Sequence, residues 1–475
     1  MNAPLILILM PFAAAALAYG VFPLRPRLVS LVSALLSAGL AWFASSVPLD
    51  APFTVFQFTI PVSGAFTLLG RQFVFDPDMR SAVMFLFVGG GSLFAGSLAI
   101  SPNRFFLPVG WVVLGLFSSS LFVQPFLFAA FFLFLSVLCL SLLLSDPSYP
   151  VPRGSVRWIV FSALGMLFLL LSGSELSLIE NLPADSAALQ SLLLRLCLGF
   201  GLLLSFPPFH FWLPDVVDDS SPYCVSFILS IYIGAVVFFL LRFLDGFAWL
   251  RQAPEIYLVL EVGGVGMCVV GAVFSVFQDR LGRCIGYLSM CNLGSILLSL
   301  SVSGSLGVQT ALVLLAARGI SLLVWGVSFH ALRPRHAADR LEDLRGVAST
   351  RPIAFTAALL SGLSLVGTPG MLSFPPLWAL LCSLSDASPA SSPQLPAIAL
   401  LLSLSAGVIS IFRFARPMLQ AAVALPPTVE RSPLLRYFLI ASISALFLLG
   451  LLPQLYIPLV VNASNAFQNL MAPVF

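Results

Sequence analysis

Residues 312–326 read LVLLAARGISLLVWG, an apolar run interrupted by a single arginine, Arg318. A surface helix of a soluble protein turns a charged face to water. This stretch has no such face. Extended to 307–331, it reaches the roughly 20 residues that carry a helix across a bilayer. The pattern repeats outward from it in both directions. Of 475 residues, 59% are hydrophobic and 9% charged, against about 25% charged in a typical soluble domain. No polar region is long enough to hold a soluble domain, so residues 1–475 read as one polytopic membrane domain.

Apolar windows at 3–22, 29–46, 82–100, 107–124, 125–145, 157–173, 190–208, 224–244, 255–277, 284–302, 307–331, 353–371, 397–414 and 437–460 predict an all-α integral membrane protein. That makes about fourteen transmembrane helices. The stretches 52–70 and 372–384 are apolar but broken by Pro, Gly or Ser, and either could add a span. The first run, Leu5 to Tyr19, has no basic segment ahead of it and reads as the first span rather than a signal peptide.

Arginine placement tests the count independently, because short cytoplasmic loops collect Lys and Arg. The odd-numbered gaps between windows and their borders hold Arg25, Arg27, Arg104, Arg153, Arg157, Arg280, Arg283, Arg333, Arg335, Arg340, Arg345, Arg351, Arg413, Arg416, Arg431 and Arg436. The even gaps hold only Arg71, Arg80, Arg242 and Arg251. This bias predicts both termini on the non-cytoplasmic side. The 333–351 loop, which mixes Arg with Asp339, Glu342 and Asp343, fits a helix lying at the cytoplasmic interface or a plain polar linker.

Several chemistries have no support. The seven cysteines show no ligand spacing, and Cys139, Cys224, Cys268, Cys284 and Cys291 sit in or beside apolar runs as small buried hydrophobes. Three histidines cannot build a multi-histidine metal site. No GxGxxG follows a strand. The expectation is therefore no metal, flavin, iron–sulfur or nicotinamide site in the chain, and a net charge of +3 gives no reason to expect nucleic acid.

Charges within spans are costly and face a bundle interior or cavity. Arg318 is too deep to reach either surface, so it needs an internal partner; a pathway role and a structural ion pair both fit. Glu261, near the start of its window, faces an interior path or the headgroups. Arg195 is equally open, and Glu175 and Glu180 read as solvated. The stretch SFPPFHFWLPDVVDDSSPY (205–223) breaks the apolar pattern with four prolines and reads as a structured loop between spans. In it His210 can titrate near neutrality, with Asp215 its nearest acid; a proton relay and a structural anchor are the two readings. Glycines in GVGMCVVGAVF (264–274) and SLVGTPGMLSF (364–374) mark points where a helix could be interrupted, which is tolerated in a membrane where backbone lines a cavity. Close packing explains the first stretch equally well; Pro369 makes the second the better break. All 22 basic residues are arginine, which stays protonated and serves poorly as a proton carrier.

These motifs resemble the antiporter-like membrane subunits of respiratory complex I, a group shared with Mrp cation/proton antiporters and membrane-bound hydrogenases. The family's hallmark, PFHxWLPDA followed by Pro and Val-Ser, corresponds here to PFHFWLPD (208–215), Pro222 and Val225-Ser226. A second family stretch corresponds to DRLGRCIGYLS (279–289), with Arg283, Tyr287 and Ser289. In a third, Arg318 stands at a family lysine, followed by Gly326, His330 and LEDLRG (341–346). Gly367-Thr368-Pro369-Gly370 stands at the family's Gly-Ile-Pro-Pro turn. The resemblance covers about 120–410. It implies an antiporter-like fold with two inverted repeats and interrupted helices, and membrane partner subunits in a redox-driven complex. It further implies a prokaryotic inner membrane and a proton pathway or coupling role for His210, Asp215, Glu261, Arg318 and His330. Length and the lack of a long carboxy-terminal arm favour the M or N type over the L type.

The departures are as informative. Lysines expected from the family fall here at Gly234 or Ala235, at Leu203 and at Gly282; an expected glutamate falls near Ala130 and a histidine at Leu314. Three roles follow: a subunit of a complex I-like quinone oxidoreductase, contributing to proton translocation or its coupling; an Mrp-like antiporter subunit; or a scaffold that kept the fold without pumping.

Overall fold

A computed structural model describes residues 2–47, 53–55, 58–60, 63–68, 70–100, 102–144, 152–179, 187–332, 340–341, 343–386, 394–420 and 432–471. Of the residues singled out above, Glu180, Arg333, Arg335, Asp339, Glu342 and Arg431 lie outside these, as does the side chain of Glu175.

The principal helices are α1 (Ala3–Val21), α2 (Pro26–Ser46), α3 (Arg80–Gly96), α4 (Phe106–Phe122), α5 (Ala129–Leu144), α6 (Arg153–Ile179), α7 (Ala187–Leu203) and α8 (Trp212–Asp219). They continue as α9 (Pro222–Gly246), α10 (Pro254–Phe277), α11 (Leu281–Ser301), α12 (Ser305–Leu332), α13 (Pro352–Val366), α14 (Phe374–Asp386), α15 (Gln394–Leu419) and α16 (Pro433–Leu451). Among the described residues, ten helices are long and apolar enough to cross a bilayer, and five more are shorter and apolar. Each predicted window coincides with one of them. Proline sets many of the starts: α2, α9, α10, α13 and α16 each open on one, where its missing N–H costs nothing and its fixed φ suits the first turn.

The interior is built around α9, buried over all but its last turn, with α12 packed against it and α11 nearly as buried. The outer helices show leucine, phenylalanine and tryptophan outward, as at Leu17, Trp42 and Phe412. Lipid gives no hydrophobic drive between helices, so close approach of small residues has to supply it. A Cβ on Gly264 would lie 2.9 Å from the Gly294 carbonyl, and one on Gly271 2.8 Å from that of Tyr287. GVGMCVVGAVF is therefore a packing seam between α10 and α11, and α10 runs through it without a break.

Two helices are interrupted. α13 ends at Val366, where Gly367 (φ +95°) and Gly370 (φ +80°) take left-handed conformations that a side chain would oppose, and α14 resumes at Phe374. The ambiguous 372–384 stretch is mostly this second half. The other interruption follows α7, not the 264–274 glycines. The stretch expected to be a loop packs into the bundle: Phe209–Phe211 form a 3-10 turn, α8 follows, and Trp212 and Leu213 are wholly buried.

One region is not helical. The ambiguous 52–70 stretch enters two small antiparallel sheets, β1 (Phe53–Val55) with β2 (Phe58–Ile60), and β3 (Ala65–Leu68) with β4 (Arg71–Val74) and β5 (Val123–Gln124). Its aromatic and β-branched residues suit strands, and Gly70 (φ +73°) closes the second hairpin.

Contacts group some of the connections at the two ends of the bundle. Arg157, Asp215 and Arg283 meet at one end of the bundle; the Arg280–Arg340 bridge and Arg413, which reaches Asp279, lie at the same end. At the other end Ala3 N–H donates to Ser63 O (3.0 Å), Ser81 Oγ to Ala463 O (3.4 Å) and Leu470 N–H to Asp245 Oδ1 (2.9 Å). Ala3 and Leu470, near the two ends of the described residues, thus both lie at this end of the bundle.

A Cβ on Gly286 would lie 2.6 Å from Pro214 Cα, backbone that cannot yield, whereas Gly39 has nothing within 4 Å. Gly286→Ala is expected to destabilise the chain by about 1–3 kcal/mol. Gly39→Ala serves as the neutral control, with thermal unfolding of the purified membrane assembly as the readout.

Candidate functional site

α8 is seated between the first turns of α6 and α11 because glycine lets it approach both. A Cβ on Gly154 would meet the Asp215 carbonyl carbon at 2.5 Å, and one on Gly282 the Asp218 Cα at 3.0 Å. Its acids then face three arginines and a backbone amide. Asp215 is held by Arg157 and, at 3.3 Å, by Arg283. Asp218, with a side chain only 2% exposed, takes Arg280 at 2.8 Å and Arg283 at 3.1 Å. Asp219 accepts the Gly154 N–H at 3.1 Å. Charges of one sign from α6 and α11 and of the other from α8 clamp the end of the interrupted helix.

His210 is not part of that clamp. Its ring lies among Phe211, Phe274 and Tyr287, at centroid distances of 4.2, 6.3 and 6.4 Å. It is buried, and among the described residues neither ring nitrogen makes a well-formed hydrogen bond. Asp215, its nearest acid in sequence, is engaged by arginine instead. Next to it Trp212 stacks on Trp158 at 5.8 Å and donates to the Leu202 carbonyl at 3.3 Å, fixing the start of α8.

Deeper in the bundle Arg318, with no exposed surface, is held by oxygens from two other helices. Nε donates to Leu229 O (3.1 Å), Nη1 to Ser289 O (2.7 Å) and Asn292 Oδ1 (3.2 Å), and Nη2 to Ser289 Oγ (2.6 Å). Four of its five N–H donors are satisfied. All the acceptors are neutral; among the described residues Arg318 makes no ion pair. The Leu229 carbonyl is available because α9 widens into a π-turn at Ile228–Tyr232, where the Ile233 N–H reaches back five residues to Ile228 O. Asn292 also donates to Leu365 O (3.2 Å), at the end of α13 beside the second interruption. A cavity of about 10 Å³ lined by Asn292, Ser295 and Ser403 adjoins it, enough for about one water.

Three motifs far apart in sequence therefore converge. Arg283, Tyr287 and Ser289 of the second touch, in turn, the acids of the first, its histidine, and the arginine of the third. A Cβ on Gly326 would strike Ser226, so the Val-Ser pair and the third motif pack against each other as well. Two candidates stand apart. His330 is half-buried, twelve residues beyond Arg318, about 18 Å along the helix. Glu261 is half-exposed on α10, beside the outward-facing Leu258 and Val262.

The family model described as NADH:quinone oxidoreductase/Mrp antiporter, transmembrane, matches residues 119–404, more than half of the chain. The chain belongs to this family. A relative from Nitrosomonas europaea, NADH-quinone oxidoreductase subunit N, is 26% identical over 66% of this chain and 66% of its own length. The subunit N of Dehalococcoides mccartyi is 32% identical over 42% and 44% respectively, so the alignments reach from under half to about two thirds of these relatives. The fold extends further. A chain of respiratory complex I from Thermus thermophilus superposes with a TM-score of 0.79, 21% identity and coverage of 99% of this chain and 100% of that one. A chain of the Mrp complex from Dietzia sp. gives 0.77, with 16% identity and coverage of 99% and 97%.

At the positions where the resemblance leads one to expect lysine, glutamate and histidine, the residues here are apolar. Ala130, Leu203, Ala235 and Leu314 are all buried. A Cβ on Gly234 would lie 2.6 Å from the Phe85 ring, so the space a lysine would need is occupied. Sequence reasoning overlooked Asn292, although it stands three residues from Ser289 and so on the same helix face. It also ranked Asp215 over the more deeply buried Asp218.

A double-mutant cycle on Asp218→Ala and Arg280→Ala is expected to show a coupling of about 1–3 kcal/mol in thermal stability. The exposed Arg413–Asp279 pair should show about 0.5 kcal/mol or less.

Proposed function

We propose that this chain is a membrane subunit of a complex I-like, redox-driven quinone oxidoreductase, and that it contributes to proton translocation or its coupling from within a larger assembly. Family membership and the full-length fold match to a complex I chain support the assignment. One observation carries the mechanism: Arg318 is buried in a cage of neutral oxygens that links α9, α11 and α12, and through Asn292 reaches the break between α13 and α14.

A guanidinium there keeps its proton at any physiological pH. It cannot hand a proton on, but it places a constant positive charge between the two interrupted helices. Coupling in this reading is electrostatic and conformational: a change in the cage displaces the charge, and both interruptions feel it. His210, Asp215, Glu261 and His330 are the titratable groups that the family resemblance assigns to a proton route; the first two belong to the interrupted α7–α8 helix, and the last two stand apart from Arg318. Fourteen crossings, with α7–α8 and α13–α14 each counted as one, and both termini on the non-cytoplasmic side of a prokaryotic inner membrane, complete the reading. The partners are the other membrane subunits.

The apolar axis favours a second reading, a scaffold that retains the fold and passes no protons. Reconstituting the intact host complex in proteoliposomes separates the two. With assembly and redox turnover maintained, Arg318→Ala is expected to lower the protons moved per electron, and Arg318→Lys, which restores a titratable group, to change the pH dependence of that ratio. A ratio unchanged in Arg318→Ala and His210→Ala alike establishes the scaffold.

A further inference from the structure

At the arginine-rich face a groove of about 680 Å³ opens between the segment around Leu341–Arg345 and the end of α15, lined by Leu341, Arg345, Val408, Phe412, Arg413 and Arg416. Its walls differ in chemistry. On α15, Val408, Phe412 and Arg416 recur every four residues and form one stripe of the helix. The apolar part of that side is turned outward: Ile409 is 57% and Phe412 53% exposed, and Leu401 and Leu402 extend it away from the face. On a chain embedded in a bilayer, these residues meet acyl chains.

The rim is cationic and unevenly committed. Arg413 is tied down, donating to the Val276 and Gln278 carbonyls and pairing with Asp279 at 2.7 Å. Arg345 and Arg416 are exposed, and neither makes an ion pair among the described residues. Asp343, two residues before Arg345, is exposed and does not pair with it either. Two free guanidinium groups thus stand where an apolar helix face reaches the headgroup level. Arginine forks match phosphate oxygens in pairs.

We propose that this groove binds an anionic phospholipid, its phosphate between Arg345 and Arg416 and an acyl chain along Val408, Ile409 and Phe412. A free phosphate would satisfy the arginines but leave the apolar wall unused, and a zwitterionic lipid would fill the wall but bring a cation to the rim. The proposal is independent of whether the chain carries protons, since it concerns only the lipid-facing side of α15.

The test uses the purified host complex in nanodiscs doped with phosphatidylglycerol or phosphatidylcholine, each bearing a photoreactive group on an acyl chain, with labelled peptides mapped by mass spectrometry. Labelling within 408–412 is expected to be about fivefold greater with phosphatidylglycerol, the preference one arginine near a membrane surface provides, and larger if both act. Arg345→Gln with Arg416→Gln should reduce it to the phosphatidylcholine level, and Arg416→Lys should keep most of it. Equal labelling by the two lipids overturns the proposal. So does no labelling by either, which means that a neighbouring subunit covers the groove. Full competition by millimolar inorganic phosphate overturns it in favour of a phosphate site. The comparison of the two lipids on the unaltered chain needs no variant to assemble.

Discussion

A permanently charged group without exposed surface, and without a counter-ion among the described residues, constrains everything around it. Taking a guanidinium out of water is expensive unless its donors are met, and in hydrocarbon no solvent stands ready to meet them. Arg318 is accommodated because Leu229, Ser289 and Asn292 deliver oxygens from α9 and α11 to one point on α12. That requirement fixes the relative height of three central helices. It also accounts for the π-turn in α9, since an ordinary α-helical turn would keep the Leu229 carbonyl for its own amide.

The clamp on α8 works on a different principle. Three arginines, each about half-exposed, hold Asp215 and Asp218, which are mostly buried, so each pair gives up little hydration on the cationic side and gains orientation on the anionic side. Because Arg283 reaches both Asp215 and Asp218, the start of α11 and the end of the interrupted helix move together. α11 then carries Ser289 and Asn292 to Arg318. Surface electrostatics and the buried charge are joined by one helix rather than by a chain of proton carriers.

Much of this was readable in the residues. Apolar windows located the helices, because a bilayer leaves few other ways to satisfy a backbone. Arg318 was conspicuous as one charge in an apolar run. Its surroundings were not, because the acceptors are two serine oxygens, an amide and a main-chain carbonyl, which leave no mark in composition. The hallmark stretch was misread as a loop: its prolines and acids look solvated in isolation, and only Gly154, Gly282 and Gly286, distant in sequence, show that two helices close over it. His210 and Asp215 looked like a pair by proximity along the chain, yet Arg157, fifty-eight positions away, is the nearer partner. The glycines of 264–274 carried two meanings, flexibility and closeness, and packing against α11 selected the second.

The widened turn at Ile228–Tyr232 has an effect on everything downstream in α9. One additional residue in a helix rotates each later side chain by about 100° relative to an uninterrupted helix. Positions after Tyr232 therefore point in directions that counting from Val225-Ser226 at 3.6 residues per turn does not give. Ala235 then points where Gly234 would point in an uninterrupted helix. Two sequences of which only one has this turn would present different faces to the same neighbours unless a one-residue gap is placed there.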